Sequence, residues 1–443
     1  MLLSRLPVSA RLVGGLAALV LFGTFLLMLP PMSPGRPLPF DKALFTAVSA
    51  LSVTGLTVIT PAVDLTRTGQ IALLALIQIG GVGYMVLAVL AFRILGRTIS
   101  LTDRLALRDS LGLLDLRGIV GLTKRIFVTV LAIEAIGAAI LYAHWSAKLP
   151  EAEAGFLAVF HAVSAFCNAG FNTFEGNAAA GGRIPTDAVT LVVFSCLVFL
   201  GGLGIPVLYD LVTFWVRRKL SLHSKLSLVV TTGLVFWGAF ALLLSETRPG
   251  AVMYGQTPWY QFKLAVFQSV MARSGGFAGI DDFAAIDGAS QLLLTTLMFI
   301  GCAPASMGGG ITTGTFAVLV LAMLAYARGQ STPVLAGRAI PGEMVRKAAA
   351  VLTISLFAVL TSTWLIMMTH DMPLNKAVFE VTSAFATCGL SLGGTSQLNG
   401  FGQGVIIVMM FWGRLGALTI LYLFTRTRPP QRLRYPEEKI LIG

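Results

Sequence analysis

The sequence predicts an all-α polytopic membrane protein, with four membrane–pore-loop–membrane repeats arranged around a central pore. Three observations predict it. The chain is 56% hydrophobic and 12% charged, with a mean hydropathy of +0.83, whereas a soluble domain carries about 25% charge. A surface this apolar needs lipid as its solvent. Apolar runs recur at 13–29, 126–141, 189–208, 228–244 and 292–300 with little or no charge, and a span needs roughly 20 such residues to cross about 30 Å of hydrocarbon. These runs predict helices, because an open sheet would leave backbone groups unpaired in lipid. The third observation is an internal repeat.

The repeat reads Phe45-Thr-Ala-Val-Ser-Ala-Leu-Ser-Val-Thr-Gly-Leu56, then Phe160-His-Ala-Val-Ser-Ala-Phe-Cys-Asn-Ala-Gly-Phe171. It returns as Phe267-Gln-Ser-Val-Met-Ala-Arg-Ser-Gly-Gly-Phe277 and Phe379-Glu-Val-Thr-Ser-Ala-Phe-Ala-Thr-Cys-Gly-Leu390. The glycines Gly55, Gly170, Gly276 and Gly389 lie 115, 106 and 113 residues apart. Self-similarity at such a period marks a repeated structural unit. The first spans fall near 8–30, 119–144, 224–246 and 345–369. Short helices fall near 41–52, 154–166, 258–271 and 374–386, and second spans near 67–95, 187–216, 289–326 and 401–425. This gives repeats at 1–95, 96–218, 219–328 and 329–443, the last with a cytosolic tail.

The first span needs separating from a signal peptide. Arg5 and Arg11 precede its apolar run, but the run is longer than a cleavable one and ends in Leu29-Pro-Pro-Met32, so it reads as retained. The net charge of +12 is distributed, not clustered on one face. Seven Lys/Arg fall in 93–125, four in 217–225, four in 328–347 and five in 426–439. With Arg5 and Arg11 these make 22 of 32 basic residues, on alternate connections, while the others carry Glu151, Glu153, Asp281 and Asp282. This asymmetry predicts both termini in the cytoplasm and accounts for the charge without nucleic acid. Cys167, Cys196, Cys302 and Cys388 show neither metal-site nor disulfide spacing.

Short helices of 12–14 residues cannot cross a bilayer, so they enter and return on one side. Irregular backbone at that depth survives only inside protein or facing water, and four such loops satisfy this by converging on one axis. A dehydrating cation filter needs inward oxygens, which backbone carbonyls provide. Glycine reaches the left-handed angles this requires at no steric cost. The candidate filter is Val53, Thr54 and Gly55; Asn168, Ala169 and Gly170; Ser274, Gly275 and Gly276; and Thr387, Cys388 and Gly389. These loops hold no carboxylate, and the helices above them aim partially negative C-termini inward. Both features point to monovalent cations, potassium first.

The third repeat stands apart. Its second span is interrupted by Gly301-Cys-Ala-Pro-Ala-Ser-Met-Gly-Gly-Gly-Ile-Thr-Thr-Gly-Thr315. Pro304 and Gly308, Gly309 and Gly310 cannot continue a stable helix, and a broken helix at membrane depth lines a cavity or moves. We read it as a gate beneath the filter. Arg414 lies in the eighth span and is a functional candidate by its cost alone. The sequence leaves open whether it faces the pore, pairs with Asp210 or Glu134, or caps carbonyls of the broken helix. Arg273 reads as either filter support or solvated rim, and Asp281 and Asp282 as either a cation-concentrating mouth or a solvated loop. An enzyme is not indicated: His144, His161, His223 and His370 form no cluster with carboxylates along the chain, and His370-Asp371 reads as rim. The rival function is an ion-coupled secondary transporter with an occluded cation site.

These residues resemble the Trk/Ktr/HKT superfamily of potassium transporters, most closely the KtrB-type membrane subunit. The specific pieces are Val53-Thr-Gly-Leu56, Gln78-Ile-Gly-Gly-Val-Gly83, Asn168-Ala-Gly-Phe171, Arg273-Ser-Gly-Gly-Phe277, the Gly308–Gly310 loop and Gly413-Arg414. The resemblance spans nearly the whole chain. It implies a homodimer in the lipid of a bacterial inner membrane, with a cytosolic nucleotide-binding RCK ring (ATP/ADP or NAD-type) as regulatory partner. It implies uptake of potassium, often sodium-stimulated, with no organic cofactor, and makes the four glycines the filter, the triple glycine the gate and Arg414 the charge beside it. The 93–125 segment and the 426–443 tail read as docking surfaces or as plain membrane-surface charge. Two departures stand out. Thr312 replaces the usual lysine after Gly-Gly-Gly-Ile, and Ser274-Gly275 replaces the usual Thr-Ala.

Overall fold

The computed structural model describes residues 8–83 and 119–416. Its elements run in four successive units. The first holds α1 (Val8–Leu27), α2 (Phe40–Leu51) and α3 (Arg67–Val82); the second holds α4 (Ile119–Trp145), α5 (Glu151–Phe166), α6 (Ala188–Gly202) and α7 (Ile205–Arg217). The third holds α8 (Leu222–Glu246), α9 (Pro258–Met271), α10 (Gly288–Ile300) and α11 (Thr313–Ala327). A two-residue-per-strand antiparallel hairpin, β1 (Val334–Leu335) and β2 (Arg338–Ala339), leads to the fourth unit: α12 (Gly342–Thr369), α13 (Leu374–Phe385) and α14 (Gly400–Leu415).

The sequence accounts for where the helices begin. The short helices start behind Pro39, Pro150, Thr257-Pro258 and Pro373, and a helix N-terminus tolerates proline because its first N–H groups have no partner anyway. The second helices start behind a capping side chain. Thr66 Oγ1 accepts the Gly69 N–H at 3.1 Å, Asp187 Oδ1 the Thr190 N–H at 3.1 Å, and Asn399 Oδ1 the Gly402 N–H at 3.0 Å. The first helices are long and apolar: α8 and α12 have 25 and 28 residues, about 40 Å at 1.5 Å per residue. Their outer faces expose Phe236, Trp237, Phe240, Phe357 and Trp364, a surface suited to hydrocarbon.

All four second helices stop early, where a break was expected in the third alone. α3, α6, α10 and α14 have 16, 15, 13 and 16 residues, about 20–24 Å, short of a bilayer core. Each ends at or just before a glycine of positive φ: Gly83 (+90°), Gly204 (+87°), Gly301 (+69°) and Gly416 (+80°). The expected continuous 187–216 span is two helices, α6 and α7, bent by 107°. Beyond Gly83 and Gly416 the expected spans lie outside the described residues.

Each second helix packs on the short helix of the next unit: α3 on α5, α6 on α9, α10 on α13, and α14 back on α2. This arrangement closes a ring. Aromatic side chains fill the space around it, with Phe160, Phe166, Phe194, Phe267, Phe277 and Phe379 fully buried.

Candidate functional site: four glycine loops and the loop beneath them

The four short helices end at Leu51, Phe166, Met271 and Phe385, and the chain then takes one local course in all four units. Two residues adopt positive φ with one residue between them: Val53 and Gly55, Asn168 and Gly170, Ser274 and Gly276, Thr387 and Gly389. The alternation exceeds expectation. Glycine supplies only the second of each pair; the first is Val, Asn, Ser or Thr, of which Asn enters this region most readily and the β-branched Val53 and Thr387 least.

The four segments touch in a cycle. A Cβ on Gly55 would lie 2.2 Å from Ala169 O, one on Gly170 3.2 Å from Gly275 O, one on Gly276 2.4 Å from Cys388 O, and one on Gly389 2.3 Å from Thr54 O. Thus each predicted glycine abuts the carbonyl that precedes the next unit's glycine. At these glycines no side chain fits between neighbouring segments, so backbone meets backbone there.

Sequence reasoning missed what holds this ring. Hydroxyls one turn back in the short helices brace it: Ser49 Oγ accepts the Gly55 N–H at 3.0 Å, Ser383 Oγ the Gly389 N–H at 3.1 Å, and Ser164 Oγ donates to Phe171 O at 2.9 Å. In three units the residue after the aromatic start then staples the outer limb of the loop. His161 Nδ1 bonds Leu157 O, leaving Nε2 to accept the Thr173 N–H at 3.3 Å. Gln268 Oε1 accepts the Gly279 N–H at 3.1 Å. Glu380, fully buried, accepts from Ser391 Oγ, Leu392 N, Gly394 N and Thr395 Oγ1 at 2.5–2.9 Å. In the first unit Thr46 bonds Lys42 O in its own helix. The signal was present as the repeated Phe-polar dipeptide.

The recurring glycines Gly80, Gly201 and Gly413 are also explained. A Cβ there would meet Leu51 O, Phe166 O or Phe385 O at 2.4, 1.9 or 2.0 Å. They let α3, α6 and α14 press against the last carbonyls of the short helices in their own units.

The 301–312 loop lies under the ring. A Cβ on Gly308 would strike Ser274 Oγ at 2.5 Å, and one on Gly309 Thr387 Oγ1 at 2.9 Å. Ser274 Oγ in turn donates to Thr387 O at 2.7 Å. The loop is tied to the second unit, where Ala303 N and Met307 N donate to Gly202 O and Gly201 O at 3.0 and 3.2 Å, and Ile205 N donates to Ala305 O at 3.0 Å. Arg414 supplies a third tie. Its guanidinium donates to Met307 O in the loop and to Gly80 O and Gly81 O at the end of α3. Arg414 thus caps carbonyls, one of them in the loop of the broken span. Glu134 instead accepts from Gln78 Nε2 at 3.0 Å, and Asp210 from Ser224 Oγ at 2.6 Å.

Other expectations change. Arg273 is 4% exposed and bonds the backbone carbonyls of Thr231 and Gly301, so it is not a solvated rim residue. Asp281 is exposed but paired with Arg183 Nη1 at 2.6 Å. His370 is partly exposed at the end of α12, and its Nε2 accepts the Asn399 N–H at 2.9 Å, which ties that end to the start of α14. His144 Nε2 lies 2.8 Å from Asp187 Oδ1, a pairing the chain order hid. The four cysteines are free, and Cys167 Sγ faces Gly81 and Glu134. The 426–443 tail and most of the 93–125 segment lie outside the described residues.

The family model described as "TrkH: Cation transport protein" matches residues 18–434. Ktr system potassium uptake protein B of Bacillus subtilis is 37% identical over 431 residues, covering 96% of this chain and 94% of that protein. Potassium/sodium uptake protein NtpJ of Enterococcus hirae is 34% identical over 446 residues, covering 99% and 98%. The crystal structure of the potassium transporter TrkH from Vibrio parahaemolyticus superimposes with a TM-score of 0.72 at 20% identity, over 94% of this chain and 84% of that one. The chain belongs to the TrkH cation transport protein family, as a KtrB-type member of the Trk/Ktr superfamily.

Proposed function

We propose that the chain takes up potassium through a channel-like pore whose filter is the ring at Gly55, Gly170, Gly276 and Gly389. The observation that carries this reading is the closed cycle of glycine-to-carbonyl contacts. A constriction lined by backbone oxygens replaces a cation's hydration shell. Thr54, Ala169, Gly275 and Cys388 supply the carbonyls. The four helix C-termini behind them add partial negative charge, which favours a cation without a carboxylate to trap a divalent one. The potassium and potassium/sodium uptake proteins among its relatives support potassium as cargo, with sodium as a second ion.

In this reading the Gly308, Gly309 and Gly310 loop is the gate, and Arg414 holds it to the α3 terminus. The chain works as a homodimer in the bacterial inner membrane with both termini in the cytoplasm, where a nucleotide-binding RCK ring controls the loop. The test is growth rescue of a potassium-transport-deficient bacterium at low external potassium, with a regulatory partner supplied. Rescue is expected; no rescue, with the protein present in the membrane, contradicts the reading.

A further inference from the structure

We infer that Arg273 is a positioning residue that couples the third filter segment to the loop beneath it. The inference rests on the filter-and-gate reading and adds the part that transmits between them. Arg273 stands three residues before Gly276, where the other units carry Ser52, Cys167 and Ala386. Three small side chains and one guanidinium thus occupy the same place behind the ring. Its charge has left water, and its acceptors are backbone carbonyls: Nη2 donates to Gly301 O at 2.6 Å and Nη1 to Thr231 O at 3.4 Å. Gly301 is the hinge at which α10 ends, so its carbonyl sits at the partially negative end of that helix. The link is returned, because Cys302 Sγ donates to Arg273 O at 2.9 Å. Bonds of opposite direction therefore join 273 to 301–302. The next residue, Ser274, rests on Gly308 at the other end of the loop. Displacement of the loop at its Gly301 end and displacement of the third filter segment therefore both work against the Arg273–Gly301 bond.

The rest of the guanidinium explains how a buried charge tolerates this joint. Arg273 Nε and Thr231 Oγ1 have no partner among the described residues. Both side chains line a cavity of about 10 Å³ with Val198, Gly202, Val235 and Cys302. A space of about that size is the least that holds one water, which the two groups would share. Two carbonyls met from one buried head suit arginine's planar fork better than lysine's point charge.

The test uses the full chain in liposomes with two readouts: the potassium/sodium flux ratio for the filter, and the rate at which a methanethiosulfonate labels Ser306→Cys for the loop. Arg273→Gln should lower the ratio and raise the labelling rate, each at least threefold, with Arg273→Lys between it and wild type. Should Arg273→Gln not fold, Cys302→Ala removes the returned bond with less bulk at stake. It should shift both readouts about twofold in the same directions, with Cys302→Ser restoring them. A variant that moves one readout and leaves the other within experimental error overturns the coupling. Gly276→Ser in the same assay separates the two ideas, since an unchanged ratio there counts against the filter itself, whatever Arg273 does.

Discussion

At the scale of single residues, glycine does two different jobs that a sequence cannot distinguish. Gly55, Gly170, Gly276 and Gly389 combine positive φ with a neighbouring carbonyl where a Cβ would go. Gly80, Gly201 and Gly413 are helical and needed only for close approach. α14 offers a matched pair for this distinction. Gly404→Ala has nothing within 4 Å of the new Cβ, and alanine should stabilise the helix by about 0.5–1 kcal/mol. Gly413→Ala would drive its Cβ to 2.0 Å from Phe385 O, and should abolish folding or flux. Thermal stability of the purified variants checks both. Comparable midpoints would mean that α14 does not press on α13 as described.

At the scale of elements, the fold was legible wherever the signal was local. Prolines marked the starts of the short helices, and their extents agree with expectation to within about three residues at either end. The broken second helices were legible in one unit only. Fifteen consecutive residues with Pro304 and a triple glycine announce a break, whereas a single Gly83, Gly204 or Gly416 reads as ordinary helix until its φ is known. The staples were easy to miss because His161, Gln268 and Glu380 share a position after a phenylalanine but no chemistry, while Thr46 at that position bonds within its own helix. Glu380→Ala should cost on the order of 3 kcal/mol or more, since it orphans buried donors at about 1–3 kcal/mol each. The denaturation midpoint should fall accordingly, with Glu380→Gln losing less. Asp187→Ala removes the α6 cap, and should cost about 1 kcal/mol without changing ion preference; a changed preference would assign Asp187 to the mouth.

At the scale of the molecule, closure of the ring depends on all four units, because each second helix leans on the next short helix. The candidate filter was legible from repetition, while its coupling to the loop was not. Arg273, Gly301 and Gly308 are separated in sequence, and only the fold joins them. Deleting Gly308, Gly309 and Gly310 should raise potassium flux at least threefold at equal expression, and wild-type flux would contradict the loop as gate. The central claim is that one cation sits among the carbonyls of Thr54, Ala169, Gly275 and Cys388. Anomalous diffraction from crystals grown with thallium or rubidium tests it most directly. The account predicts a peak on the ring axis within coordination distance of those four oxygens. A peak at a buried carboxylate such as Glu134 or Glu246, with none on the axis, would contradict it.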